Sequence, residues 1–413
     1  MYKYLVAFVL LSPLVGIWLV EGGEYAASIG IEGYPNGASL AYGIYALAVA
    51  VIGWGCVAWP RQPRRVKPQV EGVNAEFRHF GRNLLVFNTI FLFVFLFGFG
   101  AIGVWTGGIG KGEFRTNLGV LGAVPSTMTK FVIPALLAYL AALYRKSSSP
   151  GPLRWLLGIN LLVASTIGAS WGFKTFAFTI LLPALLTLFW QIRIKTLVTL
   201  ILVFVGELVL FFQLFDAGLE VDGDMQTLLV RRITVLQGDV SWYMWDQYTN
   251  GEVFPDYLPT LLAVFGDKVL TVFGLSRDAF KEWTLYHYDF MITNLAGAPL
   301  DQIQEGHNIT ATPFSEGLVA GGVFGVAFFA VVGGLLVGWM YRFIDRSLRE
   351  GRDIHAAIGA TYFVLNVFPW LNGGGVVTLF HISVLVGLGI TVLAMRAMQR
   401  FHFGASLPRP KFT

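Results

Sequence analysis

Three short stretches of this sequence carry polar side chains that could perform chemistry. The first is residues 304–316, in which His307 and Glu316 lie on either side of Pro313. Proline suits the first turn of a helix, so these polar groups are predicted to lie beside a helix N-terminus, whose amides attract anions. His307, with an ordinary imidazole pKa near neutrality, or a nearby carboxylate could accept the proton of an attacking hydroxyl. The simpler alternative is that a threonine caps the helix and Glu316 stabilises its first turn.

The second stretch, residues 228–243, has two adjacent arginines within an otherwise acidic region. A guanidinium group matches phosphate oxygens in bidentate geometry, so Arg231 and Arg232 are candidates for binding a phosphate. On a helix, Arg232, Leu236 and Asp239 share one face, which lets Arg232 point into a site while Arg231 points elsewhere. Ion pairs with the local acidic residues are the alternative role for both arginines.

The third stretch is residues 170–175, where Lys174 is the sole charged residue. We expect this turn on the outer side of a membrane, where a basic residue runs against the usual bias and indicates a purpose such as phosphate binding. Arg115, which follows a glycine-rich run, is comparable. A lysine that extends toward the lipid headgroups, or a flexible loop around Arg115, explains these residues equally well.

The elements that must position these groups are apolar. Hydrophobic residues make up 55% of the 413 residues and charged residues only 13%, which excludes a soluble globular protein. Apolar runs of about 20 residues, enough to cross a bilayer as a helix, recur between short charged loops. We therefore predict an all-α polytopic membrane protein with about ten transmembrane helices. The predicted spans are residues 4–20, 40–59, 83–105, 127–144, 155–169, 176–190, 196–215, 317–341, 354–371 and 376–395.

The loops predict the orientation of the chain, because short cytoplasmic loops collect lysine and arginine. The loop after the first predicted span holds Glu21, Glu24 and Glu32 and no base. The loop after the second is basic and contains Arg61, Arg64, Arg65, Lys67, Arg78 and Arg82. The first loop is therefore predicted to face the periplasm or exterior, and the second to face the cytoplasm.

The longest outer connection, residues 216–312, has fourteen acidic and five basic residues, a net charge of −9. Loops of this length are uncommon without a role, so we expect a large periplasmic loop that folds as a cap and contains amphipathic helices. The chain then divides into an N-terminal bundle of about seven helices (1–215), the cap (216–312), and about three C-terminal helices with a cytoplasmic tail (313–413). Aromatic residues of the cap, including Trp242, Trp245 and Tyr288, could stack on sugar rings or belt the membrane interface.

Familiar motifs of soluble enzymes are absent from the sequence. It has no Walker-type phosphate loop, no HExxH zinc motif, no paired cysteines and no GxSxG nucleophile motif. Its one cysteine, Cys56, cannot form an internal disulfide. No metal or cofactor is indicated, and nothing points to nucleic acid. Any chemistry must be built from side chains that meet at the outer face of the helical bundle.

The arrangement resembles the O-antigen polymerase (Wzy) family of oligosaccharide repeat-unit polymerases, which are polytopic membrane glycosyltransferases of the GT-C-like class. The resemblance rests on His-Asn at 307–308 followed by Pro-Phe-Ser-Glu at 313–316 and a glycine-rich span. It also rests on Arg-Ile-Thr-Val-Leu-Gln-Gly-Asp at 232–239, and on Lys174, which stands where the family often has arginine. The motifs are short, whereas the general layout covers the whole chain.

The resemblance implies a multi-pass enzyme of the bacterial inner membrane whose active site faces the periplasm. It would transfer a growing O-antigen or exopolysaccharide from undecaprenyl pyrophosphate to the next lipid-linked oligosaccharide, without a metal. A base opposite the diphosphate would invert the anomeric configuration. A polysaccharide chain-length regulator and a flippase are the implied protein partners, besides membrane lipid. The assigned residues are His307 as the favoured base with Glu316, Asp239 and Asp289 as substitutes, Arg232, Arg231, Lys174 and Arg115 for the pyrophosphate, and Asn308, Gln237, Trp242, Trp245 and Tyr288 for the glycan.

Three other functions fit the same layout. An O-antigen ligase would use similar groups but hand the glycan to a lipid A core. A polysaccharide exporter or ion-coupled transporter would need a continuous polar path through the spans, in which Glu207 would be critical. A structural assembly subunit would depend on no single polar residue.

Overall fold

The computed structural model describes residues 1–26, 28–58, 72–110, 113–114, 117–147, 150–172, 176–192, 196, 235, 238–253 and 311–400. Within these ranges the protein is mostly helical, and its sheet is a single hairpin of β1 (Tyr25–Ala26) antiparallel to β2 (Ile31–Glu32). Seven described helical segments, some of them consecutive helices joined through π-helical turns, are long and apolar enough to cross a bilayer. The chain is therefore an all-α polytopic membrane protein.

The helices are numbered in chain order. The α-helices are α1 (Tyr2–Glu21), α2 (Ala38–Ala58), α3 (Val73–Phe93), α4 (Ile102–Trp105), α5 (Ala123–Thr127), α6 (Ile133–Lys146), α7 (Pro150–Ala169), α8 (Phe176–Thr179), α9 (Leu182–Leu188), α10 (Asp239–Thr249), α11 (Pro313–Glu350), α12 (Asp353–Tyr362), α13 (Phe368–Gly373), α14 (Val377–Phe380) and α15 (Ile382–Arg400). Single π-helical turns occur at Val94–Gly98, Met128–Val132 and Phe363–Val367, and a 3₁₀ turn occurs at Gly119–Gly122.

Contacts divide the chain into two compact units. The first comprises Met1–Gln62, Val203–Arg342 and Asn366–Leu385, and the second comprises Pro63–Leu202, Phe343–Leu365 and Val386–Thr413.

The first unit is built around an apolar core between α1, α2, α10 and α11. Tyr42 and Phe314 are buried in this core, with ring centroids 5.4 Å apart in an edge-to-face pair. Helices α2 and α11 approach closely because Gly334 and Gly338 face α2. A Cβ placed on Gly338 would lie only 2.4 Å from the Cβ of Cys56. Small residues at this four-residue spacing let membrane helices pack almost backbone to backbone.

Helix α11 is interrupted near its N-terminus. Gly322 has φ 60° and ψ −142°, a conformation that glycine alone adopts readily, so the helical path stops there. A Cβ placed on Gly317 would lie 2.6 Å from the amide nitrogen of Val326. In a straight helix these residues would be about 13 Å apart along the axis, so residues 313–320 fold back along the rest of α11. Every residue of this folded-back segment is buried.

A second interruption lies between α13 and α14. Gly374 and Gly375 have φ values of 71° and 78°, which disfavour any residue with a Cβ. The Gly374 amide donates to the carbonyl of Trp370 at 2.7 Å and closes α13. The chain therefore turns at this glycine break and does not continue as one straight helix.

The second unit is centred on α6, in which every residue from Ile133 to Leu143 is buried. It packs against α3, α7, α9 and α12. Asn160 of α7 is fully buried among apolar helices, and its Nδ2 donates to the carbonyl of Gly81 in α3 at 3.0 Å, which links the two helices. Lys146 at the end of α6 pairs with Asp353 at the start of α12, with 2.5 Å between Nζ and Oδ2.

Most of the predicted spans coincide with described helices. The first, second, fourth and fifth coincide with α1, α2, α5–α6 and α7, and the last two coincide with α12–α13 and α14–α15. The eighth, predicted at 317–341, lies within α11, which is interrupted at Gly321 and Gly322. The third begins earlier than predicted, at Val73, and the sixth is interrupted between α8 and α9, where Pro183 lacks the amide needed to continue a helix. The seventh predicted span, apart from Thr196, and most of residues 216–312 lie outside the described residues.

Candidate functional site

Two of the three chemistry-bearing stretches meet inside the first unit. Ser241, in the first turn of α10, has its Oγ 3.0 Å from Thr312 Oγ1 and 3.0 Å from Ser315 Oγ. These hydroxyls, at 1%, 0% and 0% exposure, satisfy one another in a place that water does not reach. We call Ser241, Thr312 and Ser315 the hydroxyl junction. It joins residues that are 71 and 74 positions apart in the sequence.

Asp239, one of the predicted substitute bases, begins α10 and is completely buried. Its Oδ2 accepts the Ser28 amide at 3.0 Å, and its Oδ1 accepts the Val240 amide at 2.7 Å. Burial raises the pKa of the Asp239 carboxyl above its ordinary value, while hydrogen bonds from Ser28 and Val240 oppose that rise. The carboxylate therefore ties the loop between α1 and α2 to the start of α10.

A second carboxylate fastens the other end of α10 to the same loop. Asp246 Oδ2 accepts the Tyr34 hydroxyl at 2.6 Å and the Asn250 amide at 3.2 Å, and its Oδ1 accepts Asn36 Nδ2 at 3.3 Å. The hydrogen bond to Asp246, with smaller contributions from burial and nearby charge, raises the pKa of Tyr34 to about 12. Sequence analysis missed these positioning residues, since nothing in a spacing of more than 200 positions signals a contact.

The two tryptophans predicted to bind glycan occupy different environments on α10. Trp242 is fully buried, packs edge-to-face on Tyr34 and donates from Nε1 to the Tyr34 carbonyl at 3.1 Å. Its ring therefore offers no open face to a sugar in this structure. Trp245 is partly exposed and donates to the Asn36 carbonyl at 3.2 Å, with its ring centroid 5.9 Å from that of Phe314. Only Trp245 keeps ring surface that a glycan could contact.

Glu316, another predicted substitute base, lies in the folded-back segment and is 1% exposed. Its Oε2 accepts the indole Nε1 of Trp370 at 3.0 Å, and its Oε1 accepts the Val376 amide at 2.7 Å. Trp370 and Val376 stand on either side of the glycine break after α13. The carboxylate therefore connects the two interrupted helices of the first unit, a link that the sequence pattern did not reveal.

In the second unit, the residues that flank two predicted cations share one aromatic cluster. Trp171 contacts Phe95, Phe114 and Phe176, with ring centroids 5.0, 6.1 and 6.4 Å away. Its Nε1 donates to Thr129 Oγ1 at 3.2 Å, beside a π-helical turn of the kind often found at functional sites. Phe114 immediately precedes Arg115, and Lys174 lies between Trp171 and Phe176 in the sequence. The cluster thus brings the neighbours of both cations together.

The remaining predicted site residues lie outside the described part of the chain. They are His307, Asp289, Arg231, Arg232, Lys174, Arg115, Asn308, Gln237 and Tyr288. Among the residues that are described, no group of three or more His, Cys, Asp and Glu side chains could hold a metal ion. The described site therefore supplies hydroxyl groups, three carboxylates that accept hydrogen bonds from the protein, and one partly exposed tryptophan.

No protein-family model, no curated protein and no solved structure matches this chain. A function for this chain is therefore inferred from its own residues and from the hydroxyl junction that they form.

Proposed function

We propose that this protein is a membrane glycosyltransferase that polymerises lipid-linked oligosaccharide repeat units. The reaction takes place at the periplasmic face of a bacterial inner membrane, where the growing glycan leaves undecaprenyl pyrophosphate for the next unit. The observation that carries the proposal is the hydroxyl junction. It brings the end of the Arg-Ile-Thr-Val-Leu-Gln-Gly-Asp stretch next to the Thr-Pro-Phe-Ser-Glu stretch, as a site that uses both stretches requires.

The two proposed catalytic residues, His307 and Arg232, are close in sequence to residues of this junction. His307 precedes Thr312 by five residues, and Arg232 precedes Ser241 by nine. At no more than about 3.6 Å per residue, each chain segment limits how far its functional group can lie from the junction. A proton acceptor and a cation tied to one buried anchor are the two components that glycosyl transfer from a diphosphate needs.

The proposed chemistry moves one proton and one glycosyl group. His307 accepts the proton of the acceptor hydroxyl while that oxygen attacks the anomeric carbon of the growing glycan. The bond from this carbon to the lipid diphosphate breaks, and Arg232 stabilises the charge on the departing oxygen. Attack from the side opposite the leaving group inverts the configuration, and no metal is needed in this scheme. In this scheme Trp245, which is partly exposed and lies four residues after Ser241, packs on a sugar ring.

The direct test is incubation of the purified protein with lipid-linked repeat units, with the products separated as a ladder on a gel. We expect the wild type to form a ladder and both Arg232→Ala and His307→Ala to slow it by about 100-fold or more. Arg277→Ala and His287→Ala are matched controls, because they remove the same side-chain types from the same outer connection. Wild-type protein that forms no ladder contradicts the polymerase, and full activity in both site variants contradicts the site.

One observation favours a second candidate, an ion-coupled transporter. Glu316 is a buried carboxylate beside two helix interruptions, at Gly322 and at the break after α13. Interrupted helices line the substrate sites of many secondary transporters, and buried acids there couple to ions. Flux into proteoliposomes would then survive Arg232→Ala and stop with Glu207→Gln. The polymerase proposal expects the opposite pattern in the ladder assay.

A further inference from the structure

Glu316 stands where the two interrupted helices of the first unit meet. The folded-back segment, residues 313–320, ends at the Gly321–Gly322 interruption of α11. The second break, at Gly374 and Gly375, separates α13 from α14. Between the two, the Glu316 carboxylate accepts the Trp370 indole N–H at 3.0 Å and the Val376 amide at 2.7 Å. One side chain thus holds a residue on each side of the second break.

Trp370 contacts both pieces of the interrupted helix α11. Its side chain is fully buried, and its ring lies edge-to-face on Phe329, with the centroids 6.0 Å apart. Phe329 belongs to the long C-terminal piece of α11, whereas Glu316 belongs to the folded-back segment. Trp370 therefore bonds one piece of α11 and packs on the other. The angle between the two pieces depends on contacts that converge on this indole.

We propose that Glu316 is a positioning residue that latches the folded-back segment to the second glycine break. A proton acceptor must be reached by its substrate, but Glu316 is only 1% exposed, and each of its oxygens already accepts a hydrogen bond from the protein. Hydrogen bonds to a charged acceptor are among the strongest single contacts in a protein interior. Thr312 and Ser315 lie in or beside the same segment, so the latch fixes the hydroxyl junction as well.

Hydrogen exchange of the Val376 amide tests the latch directly, without any assumption about function. In purified full-length protein, we expect Glu316→Ala to speed exchange in a peptide that covers residues 373–378 by about 10-fold or more. Glu350→Gln is the matched control, since it alters a carboxylate at the other end of α11 and should leave this peptide unchanged. Unchanged exchange in the Glu316→Ala protein overturns the proposal.

Two conservative variants cover the case in which the alanine variant does not fold. Glu316→Gln keeps one acceptor oxygen but turns an amide N–H₂ toward the other donor, so exchange of the same peptide should still rise. Trp370→Phe removes only the indole donor and keeps an aromatic ring in contact range of Phe329. We expect it to raise exchange less than Glu316→Gln does. Exchange that rises in neither variant also overturns the latch.

The role of the latch in catalysis rests on the proposed function, and it has its own measurement. Glu316→Gln and Trp370→Phe should each slow ladder formation by about 10-fold or more, and the double variant should be little slower than the worse single one. The pH profile should keep its shape in both, because neither removes the proton acceptor. Loss of the acidic limb in Glu316→Gln, with full activity in Trp370→Phe, would instead identify Glu316 as the base. If the wild type forms no ladder, the proposed polymerase function is contradicted. The latch is not, because hydrogen exchange tests it independently.

Discussion

The Tyr34 hydroxyl donates a hydrogen bond of 2.6 Å to Asp246 Oδ2, although 212 positions separate the two residues in the sequence. This contact fastens the short loop between α1 and α2 to the helix that carries Ser241 and Trp245. A loop that precedes α2 thereby sets the position of α10, which comes much later in the chain. The bond is one of three on Asp246, so its loss should loosen this attachment without abolishing it.

Replacement of Tyr34 by phenylalanine should lower the free energy of unfolding by about 1 kcal/mol. This loss of stability is smaller than that for a buried hydrogen bond to a charged group, because Tyr34 is 43% exposed. Tyr25→Phe is the matched control, since Tyr25 lies in the same loop at the same 43% exposure and its hydroxyl has no hydrogen-bond partner among the described residues. Chemical unfolding in detergent micelles measures both. Equal stabilities of the two variants would show that the bond contributes nothing.

The same pair predicts how stability changes in alkali. The bond to Asp246 raises the pKa of Tyr34 from 10.0 to about 12, so the folded protein holds this proton more tightly than the unfolded chain. The stabilisation is therefore complete below pH 10 and is lost as the pH rises toward 12. The difference in unfolding midpoint between wild type and Tyr34→Phe should shrink as the pH rises from 10.0 to about 12. A difference that stays constant over this interval contradicts the assignment.

The interruption of α11 requires glycine at position 322. Gly322→Ala should destabilise the protein by at least about 2 kcal/mol, because φ 60° with ψ −142° strains any residue that carries a Cβ. The new Cβ would also lie 2.6 Å from the Tyr248 hydroxyl. That hydroxyl can move aside, but the backbone strain cannot be relieved in this way.

Gly55→Ala provides the comparison for this substitution. Gly55 lies inside α2 of the same unit, and a Cβ placed there meets no atom within 4 Å. Alanine favours a helix interior over glycine, so this variant should be neutral or stabilised by up to about 1 kcal/mol. Thermal unfolding of both proteins in one detergent measures the difference. Two variants that behave alike would show that α11 is not interrupted at Gly322.

The sequence predicted the positions of most spans because hydropathy is a local property of about 20 neighbouring residues. The first span was expected at 4–20 and is found at Tyr2–Glu21. The folding back of residues 313–320 was not predicted, since residues 317–320 and 323–330 are both apolar and hydropathy continues without a break through Gly321 and Gly322. Only the backbone dihedral angles distinguish an interrupted helix from a straight one.

The candidate site was less predictable, because its contacts join residues that are distant in sequence. Aromatic residues in an acidic loop suggested sugar stacking, yet Trp242 is buried against Tyr34, a partner 208 positions away. The charge of Glu316 and its place in a motif predict a base, whereas its carboxylate accepts hydrogen bonds from Trp370 and Val376, 54 and 60 positions further on. Composition and spacing find the residue types, but tertiary packing decides which of them face a substrate.

In the second unit, the ion pair of Lys146 and Asp353 should stabilise the folded protein more than a surface ion pair does. The side chains are 22% and 10% exposed, and 2.5 Å separates Nζ from Oδ2. Lys146→Met leaves the Asp353 carboxylate without its cation in a poorly solvated place, so we expect a loss of about 2–3 kcal/mol. Arg346→Met is the control, because its pair with Glu350 is formed by an arginine side chain that is 72% exposed and should contribute no more than about 0.5 kcal/mol.

The double variant Lys146→Met with Asp353→Asn separates the value of the pair from the cost of an uncompensated charge. Removal of both charges should restore part of the stability that Lys146→Met loses, because the neutral amide pays a smaller desolvation penalty than the isolated carboxylate. Chemical unfolding of the four proteins in one double-mutant cycle gives the coupling energy. Additive losses in that cycle would mean that the two groups do not interact, despite the distance between them. Coupling larger than that of the Arg346 pair would show that burial makes the difference.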